Sequence, residues 1–306
     1  MRTVPLGVTG RAVPNVVLGM MRIADRTDDE IRALVRAARD ADVDFFDHAA
    51  VHGSRQHHCE ERFAEALRLT PSARAEITIQ TKAGIVRDGS CDSSYDHLVS
   101  STEESLRALR TDYLDVLLLH GPDALVEPEE VARAFDDLES AGKVRAFGVC
   151  DHTPPRIELL RTAVRQPIVV NQLQLSMTHA PGVAADLAGT GHPVALDGGG
   201  VLDYCRVHRI TVQAWSPFEA GFCTGTVLDS LEYADLNAVA DRLGERYGVP
   251  AIAIATAWIT RHPGGMQVVL ATAAPERVTG AAQGSDVPLT RAEWYELSRA
   301  SGHRAP

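Results

Sequence analysis

Lysine is nearly absent. Of the 30 basic residues in this 306-residue chain only two, Lys82 and Lys143, are lysine. Arginine carries charge as well as lysine does, but it cannot replace a compact, titratable ammonium. A chain that avoids lysine this strongly is expected to keep one where such a group is needed. Other shortages exclude whole classes. The five cysteines, Cys59, Cys91, Cys150, Cys205 and Cys223, are dispersed and include no Cys-x-x-Cys, which points to free thiols in a reducing cytoplasm. No stretch approaches ~18 consecutive apolar residues, so no membrane span is expected. Met1 to Gly10 lacks the charged-then-apolar-then-small pattern of a signal peptide. The net charge is −11 and the basic residues do not cluster, so a nucleic-acid partner is not expected; acidity of this size serves solubility. No Gly-x-Gly-x-x-Gly follows the first apolar run, which removes the main sign of a doubly wound dinucleotide fold.

What is present alternates. Apolar runs at Val16–Gly19, Val43–Phe46, Ile77–Lys82, Leu114–His120, Ala146–Cys150, Ile168–Gln172, Thr211–Trp215 and Gln267–Leu270 read as strands. The continuous run before His120 is the mark of a parallel strand buried on both faces. Between them lie helical patterns. Thr27-x-x-Glu30 is a capping box ahead of Ile31, Leu34, Val35 and Ala38 at helical spacing. Glu60–Leu69, Leu98–Leu109 (with Ser93-x-x-Asp96 as its start), 129–141, Pro155–Val164, Val201–His208, Leu236–Tyr247, Ile252–Arg261, Pro275–Ala282 and Thr290–Ser301 follow. Pro128 before and Gly142 after the 129–141 helix have the expected asymmetry. Residues 176–200, rich in Gly, Ala and Pro, read as a long loop covering the pocket. Eight strands alternating with helices imply a single-domain α/β fold over residues 1–306, a (β/α)8 TIM barrel.

In such a barrel the C-terminal strand ends share one mouth. Here they carry Asp47, Lys82, His120, Cys150, Asp151, Gln172, Trp215, Ser216 and Thr272, with His52 on the loop after the second strand. An acid, an ammonium and two imidazoles around one mouth can run proton transfer, because neighbours push their pKa values apart. Each residue alone has a plainer reading: Asp47 and Lys82 as a structural ion pair, His120 as a core histidine. It is their recurrence at strand ends, against apolar strand middles, that favours a site. His57-His58-Cys59 invites a zinc reading, but adjacent residues at a helix start do not converge on one tetrahedral site.

The chain resembles the aldo-keto reductase family, nearly end to end. The likeness is carried by Phe46-Asp47-His48-Ala49 with Gly53, Thr81-Lys82, Leu118-Leu119-His120, the run Gly142 to Val149, Asn171-Gln172, Ala214-Trp215-Ser216-Pro217 and Pro275-Glu276-Arg277-Val278. The resemblance implies a barrel enzyme that uses NADPH/NADP+ to reduce a small-molecule carbonyl. In that family a tetrad of Asp, Tyr, Lys and His surrounds the carbonyl; Asp47, Lys82 and His120 match, while the tyrosine position falls on His52. A phenol near pKa ~10 is thus replaced by an imidazole near ~6.5. The imidazolium can still act as general acid; Lys82 depresses its pKa and Asp47 raises it. The shorter ring calls for a bridging water.

For the cofactor the resemblance implies Gly19, Cys150, Asp151, Gln172, Trp215, Ser216, Pro217, Thr272 and Arg277, and no metal. Cys150-Asp151 stands where the family has Ser-Asn for the nicotinamide carboxamide, with Gln172 beside it. Asp151 can accept from the amide nitrogen but cannot donate to its oxygen. Trp215 is expected along the nicotinamide side. Thr272 and Arg277 fit a 2′-phosphate, where a bidentate arginine suits the anion; a lysine common nearby is Ala274 here. Two other classes stay open: a lyase or isomerase using His52 and Lys82 for acid–base work, and a non-catalytic cofactor-sensing or partner-binding module.

Overall fold

The eight apolar runs form eight short parallel strands that close on themselves. A computed structural model describes residues 1–188, 200–220 and 225–303. A hairpin of β1 (Thr3–Pro5) and β2 (Ala12–Pro14) precedes the barrel. The barrel strands are β3 (Val16–Gly19), β4 (Phe45–Asp47), β5 (Thr78–Ala83), β6 (Val116–Leu119), β7 (Phe147–Cys150), β8 (Ile168–Gln174), β9 (Thr211–Trp215) and β10 (Gln267–Leu270), and β10 pairs with both β3 and β9. The helices are α1 (Asp28–Asp40), α2 (His58–Leu67), α3 (Pro71–Ala75), α4 (Tyr95–Leu109), α5 (Pro128–Ser140), α6 (Pro154–Leu160), α7 (Pro181–Ala188), α8 (Val201–Val207), α9 (Ala234–Tyr247), α10 (Ala251–Thr260), α11 (Pro275–Ala282) and α12 (Arg291–Ala300).

Strand period two sorts the core into two shells. Phe46, Ile79, Leu117, Leu119 and Phe147 face outward and pack with helix residues such as Phe63 and Phe135. Phe45, Val116, Leu118, Val170 and Val269 form a smaller cluster inside the barrel, closed from below by Val4, Leu6 and Val13 of the hairpin. Local signals behave as read: Thr27 and Glu30 form the capping box of α1, and Pro128 opens α5.

Several boundaries move. The second strand is Phe45–Asp47 rather than Val43–Phe46, which makes Asp47 a strand residue. The sixth continues past Gln172 to Gln174 because it pairs with β9 along that length. Helix α2 starts at His58 and ends at Leu67 rather than running Glu60–Leu69, because Arg68 turns left-handed with φ 47°. Ser94, not Ser93, caps α4. The 176–200 segment holds α7, so it is not wholly loop; residues 189–199, and with them part of the expected cover, lie outside the described residues, as does Cys223. The hairpin and α3 were not expected, since three- and five-residue elements are too short for periodicity to show.

Candidate active site

Asp47 ends β4 and Lys82 lies one residue short of the end of β5, on the same inward face as Gln80. The Lys82 ammonium donates to Asp47 Oδ2 at 2.6 Å and to the His48 carbonyl at 2.8 Å. Both side chains are buried. Lys143, by contrast, sits at the surface on Glu103, so the one buried lysine is the one at the barrel mouth.

The other oxygen of Asp47 is held by a tier of glutamines. Strand register sets Asp47 beside Gln80, Gln172 beside Gln213, and Gln213 beside Gln267. Gln80 Nε2 donates to Asp47 Oδ1 at 2.6 Å, and Gln172 Nε2 donates to it at 3.2 Å. Both also donate to Gln213 Oε1, at 2.8 and 2.9 Å. Gln213 in turn donates to Gln80 and Gln267, and Gln267 donates to the Pro14 carbonyl at 2.6 Å. A polar chain therefore runs from the mouth through the barrel to the hairpin. In a dry interior every such group needs a partner, and these bonds fix the Asp47 carboxyl group in one orientation.

Two imidazoles stand over this pair. The rings of His52 and His120 lie edge to face, 6.0 Å between centroids. Burial, aided by the Lys82 charge and opposed by Asp47, lowers the His52 pKa to about 4. Burial, Lys82 and His52 together push His120 well below its usual value. Both rings are therefore neutral at pH 7. Lys82 outweighs Asp47, and burial outweighs both. His52 Nδ1 is buried without a hydrogen-bond partner. His48, on the outer face, packs edge-on against Phe63, and neither of its ring nitrogens has a partner.

The expected cofactor residues divide into groups. Ser216, Pro217, Thr272 and Arg277 line one cleft of about 1400 Å³ beside β9, β10 and the start of α11, together with Arg22 and Ala274. Thr272 Oγ1 accepts from the Ala274 N–H at 3.1 Å as the chain turns into α11. Ser216, with φ 49°, donates to Glu219. Asp151 and Trp215 line a separate hollow of about 290 Å³. There the indole N–H of Trp215 donates to Asp151 Oδ1 at 3.1 Å, the Gln174 N–H donates to the same oxygen at 3.2 Å, and the Cys150 thiol donates to Oδ2 at 3.4 Å. Burial raises the Asp151 pKa against those bonds. The Gln172 amide is directed at Asp47 and Gln213. Gly19 lines neither space. A Cβ there would sit 2.7 Å from the Leu270 carbonyl, so close approach of β3 to β10 accounts for the glycine.

The His57-His58-Cys59 run points three ways. His57 meets Glu60 and Glu104, His58 meets Ser54 Oγ, and the buried Cys59 thiol reaches the Met21 carbonyl. Among the described residues no group of three or more His, Cys, Asp or Glu side chains is placed to hold a metal ion.

Comparison with known proteins gives this arrangement its family. The family model described as "Aldo/keto reductase family" matches residues 15–301. The chain belongs to the aldo-keto reductase family. A 6-dehydroglucose reductase of Agrobacterium fabrum is 34% identical, with 92% of each chain covered. Two solved structures share the fold: a thermostable aldo-keto reductase in complex with the inhibitor epalrestat (TM-score 0.79, 21% identity, 98% of this chain and 100% of that one) and a Bombyx mori aldo-keto reductase in complex with NADP (TM-score 0.74, 22% identity, 99% and 94%). Aldo-keto reductases are oxidoreductases that use a nicotinamide cofactor on small-molecule carbonyls. Among the described residues no helix is long and apolar enough to cross a membrane.

Sequence reasoning missed Gln80, Gln213, Gln267 and the Glu60–His57 contact. The signal for the first three was a single glutamine in each apolar run, inside the strand for Gln80 and Gln213 and at its start for Gln267. For Glu60 it was a carboxylate in the first turn of a helix otherwise buried on that face.

Proposed function

We propose that the protein is an NADP-dependent reductase of a small-molecule carbonyl, with His52 in place of a phenolic proton donor. The observation that carries this reading is the convergence of Asp47, Lys82, His52 and His120 at one barrel mouth. The adenosine and pyrophosphate end of NADP fits the large cleft, where Ser216, Thr272 and Arg277 line one wall and α11 begins. Its nicotinamide supplies a hydride when bound. The chain's own groups do the rest. His120 and His52 orient the carbonyl oxygen. The ammonium of Lys82, anchored by Asp47, stabilises negative charge developing on that oxygen. His52 moves the proton, directly or through one water.

The name of the Agrobacterium relative makes aldehydes of hexoses the first substrates to try. A cytoplasmic location accords with the free thiols of Cys59, Cys91, Cys150 and Cys205. The test is His52→Phe: carbonyl reduction is abolished while NADPH binding is retained, and unchanged turnover would remove His52 from its role. A cofactor-sensing module is the second reading, favoured by the internal bonds that engage Asp151 and Gln172. It would show cofactor binding with no turnover on any carbonyl.

A further inference from the structure

His52 has no hydrogen bond at Nδ1 to hold its ring. The backbone of the loop between β4 and α2 therefore bears directly on where the ring stands against His120. That loop is fastened by a buried hydrogen-bonded cluster on the outer face of the barrel.

Glu60 lies in the first turn of α2 and is fully buried. Its Oε1 accepts from Thr81 Oγ1 at 2.5 Å. Its Oε2 meets His57 Nδ1 at 2.6 Å and accepts from Ser105 Oγ of α4 at 3.1 Å. The far nitrogen of His57 meets Glu104 Oε2 at 3.2 Å. Burial opposes charge on His57, but the two carboxylates outweigh it and raise its pKa. The main chain completes the fastening. His57 is left-handed, with φ 59°, and its N–H donates to the Ala50 carbonyl at 2.6 Å. The Cys59 N–H donates to the carbonyl of His52 itself at 3.4 Å. Thr81 is the outward neighbour of inward Lys82, so β5 holds Glu60 on one face and the ammonium on the other.

A buried ion pair is seldom the most stable filling for such a space, because apolar residues of similar volume do as well or better. What directed bonds to three different elements provide is a single geometry. We propose that the Glu60–His57 pair, steadied by Glu104, is a positioning device that fixes the His52 loop so that the imidazole stands against His120 and Lys82. This rests on the reading of His52 as the group that moves the proton.

The experiment compares wild type with the double variant His57→Asn/Glu60→Gln, which keeps a residue tolerant of left-handed backbone at 57 and removes the imidazole and the carboxyl group together. Histidine-selective NMR follows the His52 ring signals, His52→Phe having assigned them. Steady-state kinetics with NADPH and titration of NADPH binding are run alongside. The expected result is a shifted or broadened His52 signal, a kcat lower by about 10- to 100-fold and unchanged NADPH affinity. A folded double variant with unaltered His52 signals and kcat overturns the proposal. Glu104→Ala, at a half-exposed helix position, covers the case in which the double variant does not fold. It is expected to lower the His57 pKa and move the His52 signals in the same direction, and no movement of either again overturns the proposal. Should His52→Phe turn over as fast as wild type, the proton-transfer reading fails. The NMR comparison still decides whether the pair positions the ring.

Discussion

Replacing a phenol by an imidazole beside a fixed ammonium has a direct kinetic consequence. Burial and the Lys82 charge bring His52 to a pKa of about 4. Its folded pKa lies below the unfolded value, so the charged form is scarce at neutral pH. At pH 7 about one ring in a thousand carries the proton, against about a quarter for an unperturbed histidine. If the imidazolium is the acid, kcat/KM for carbonyl reduction falls tenfold per pH unit above pH 4, about 100-fold between pH 5 and pH 7. In the reverse direction the neutral ring is the base and is already in place, so alcohol oxidation with NADP+ is level over the same range. The assay is initial-rate NADPH oxidation from pH 5 to 8 at fixed ionic strength, with far-UV circular dichroism at each pH to keep unfolding out of the rates. His52→Tyr is the control. A phenol near pKa ~10 stays protonated throughout, so its profile levels off. A wild-type reduction profile that is flat from pH 5 to 8 would mean that the His52 imidazolium is not the acid.

Other outcomes follow from the same geometry. His48 is buried with both ring nitrogens unpartnered and its pKa well below the usual value; the stability gained from keeping it neutral is complete above pH 6.5 and is lost as pH falls below that. His48→Phe is expected to remove about 1.4 kcal/mol per pH unit from the slope of stability below pH 6.5, read as urea midpoints from pH 5 to 7. Gln213→Leu removes the residue that joins Gln80, Gln172 and Gln267, and is expected to cost about 1–3 kcal/mol in urea unfolding by leaving buried donors unpaired. Arg277 stands on the cleft wall at the start of α11. Arg277→Ala is expected to weaken NADPH by about 10- to 100-fold with little effect on NADH, measured by tryptophan fluorescence.

Most of the barrel was legible because its signals are local. Apolar runs of strand length alternate with capped, amphipathic helices, and a capping box such as Thr27–Glu30 reads the same in sequence and structure. The mouth was legible because its chemistry sits at strand ends, where Asp47, Lys82 and His120 interrupt apolar runs. The glutamine tier was not, since Gln80, Gln213 and Gln267 come from three strands and meet only through register. The direction of the His52 pKa was also hidden. Sequence names the two charges but not the burial that outweighs them. Gly19 shows the reverse case, a residue expected at the cofactor whose reason is a neighbouring backbone carbonyl.

Hydride transfer itself is read with NADPH deuterated at the transferable position of the nicotinamide and a panel of aldehydes and ketones that includes hexose aldehydes. Deuterium is expected at the carbinol carbon of the alcohol formed, and none with His52→Phe under the same conditions. Binding of NADPH with no label transferred to any carbonyl would rule out a carbonyl reductase and leave the chain a cofactor-sensing module.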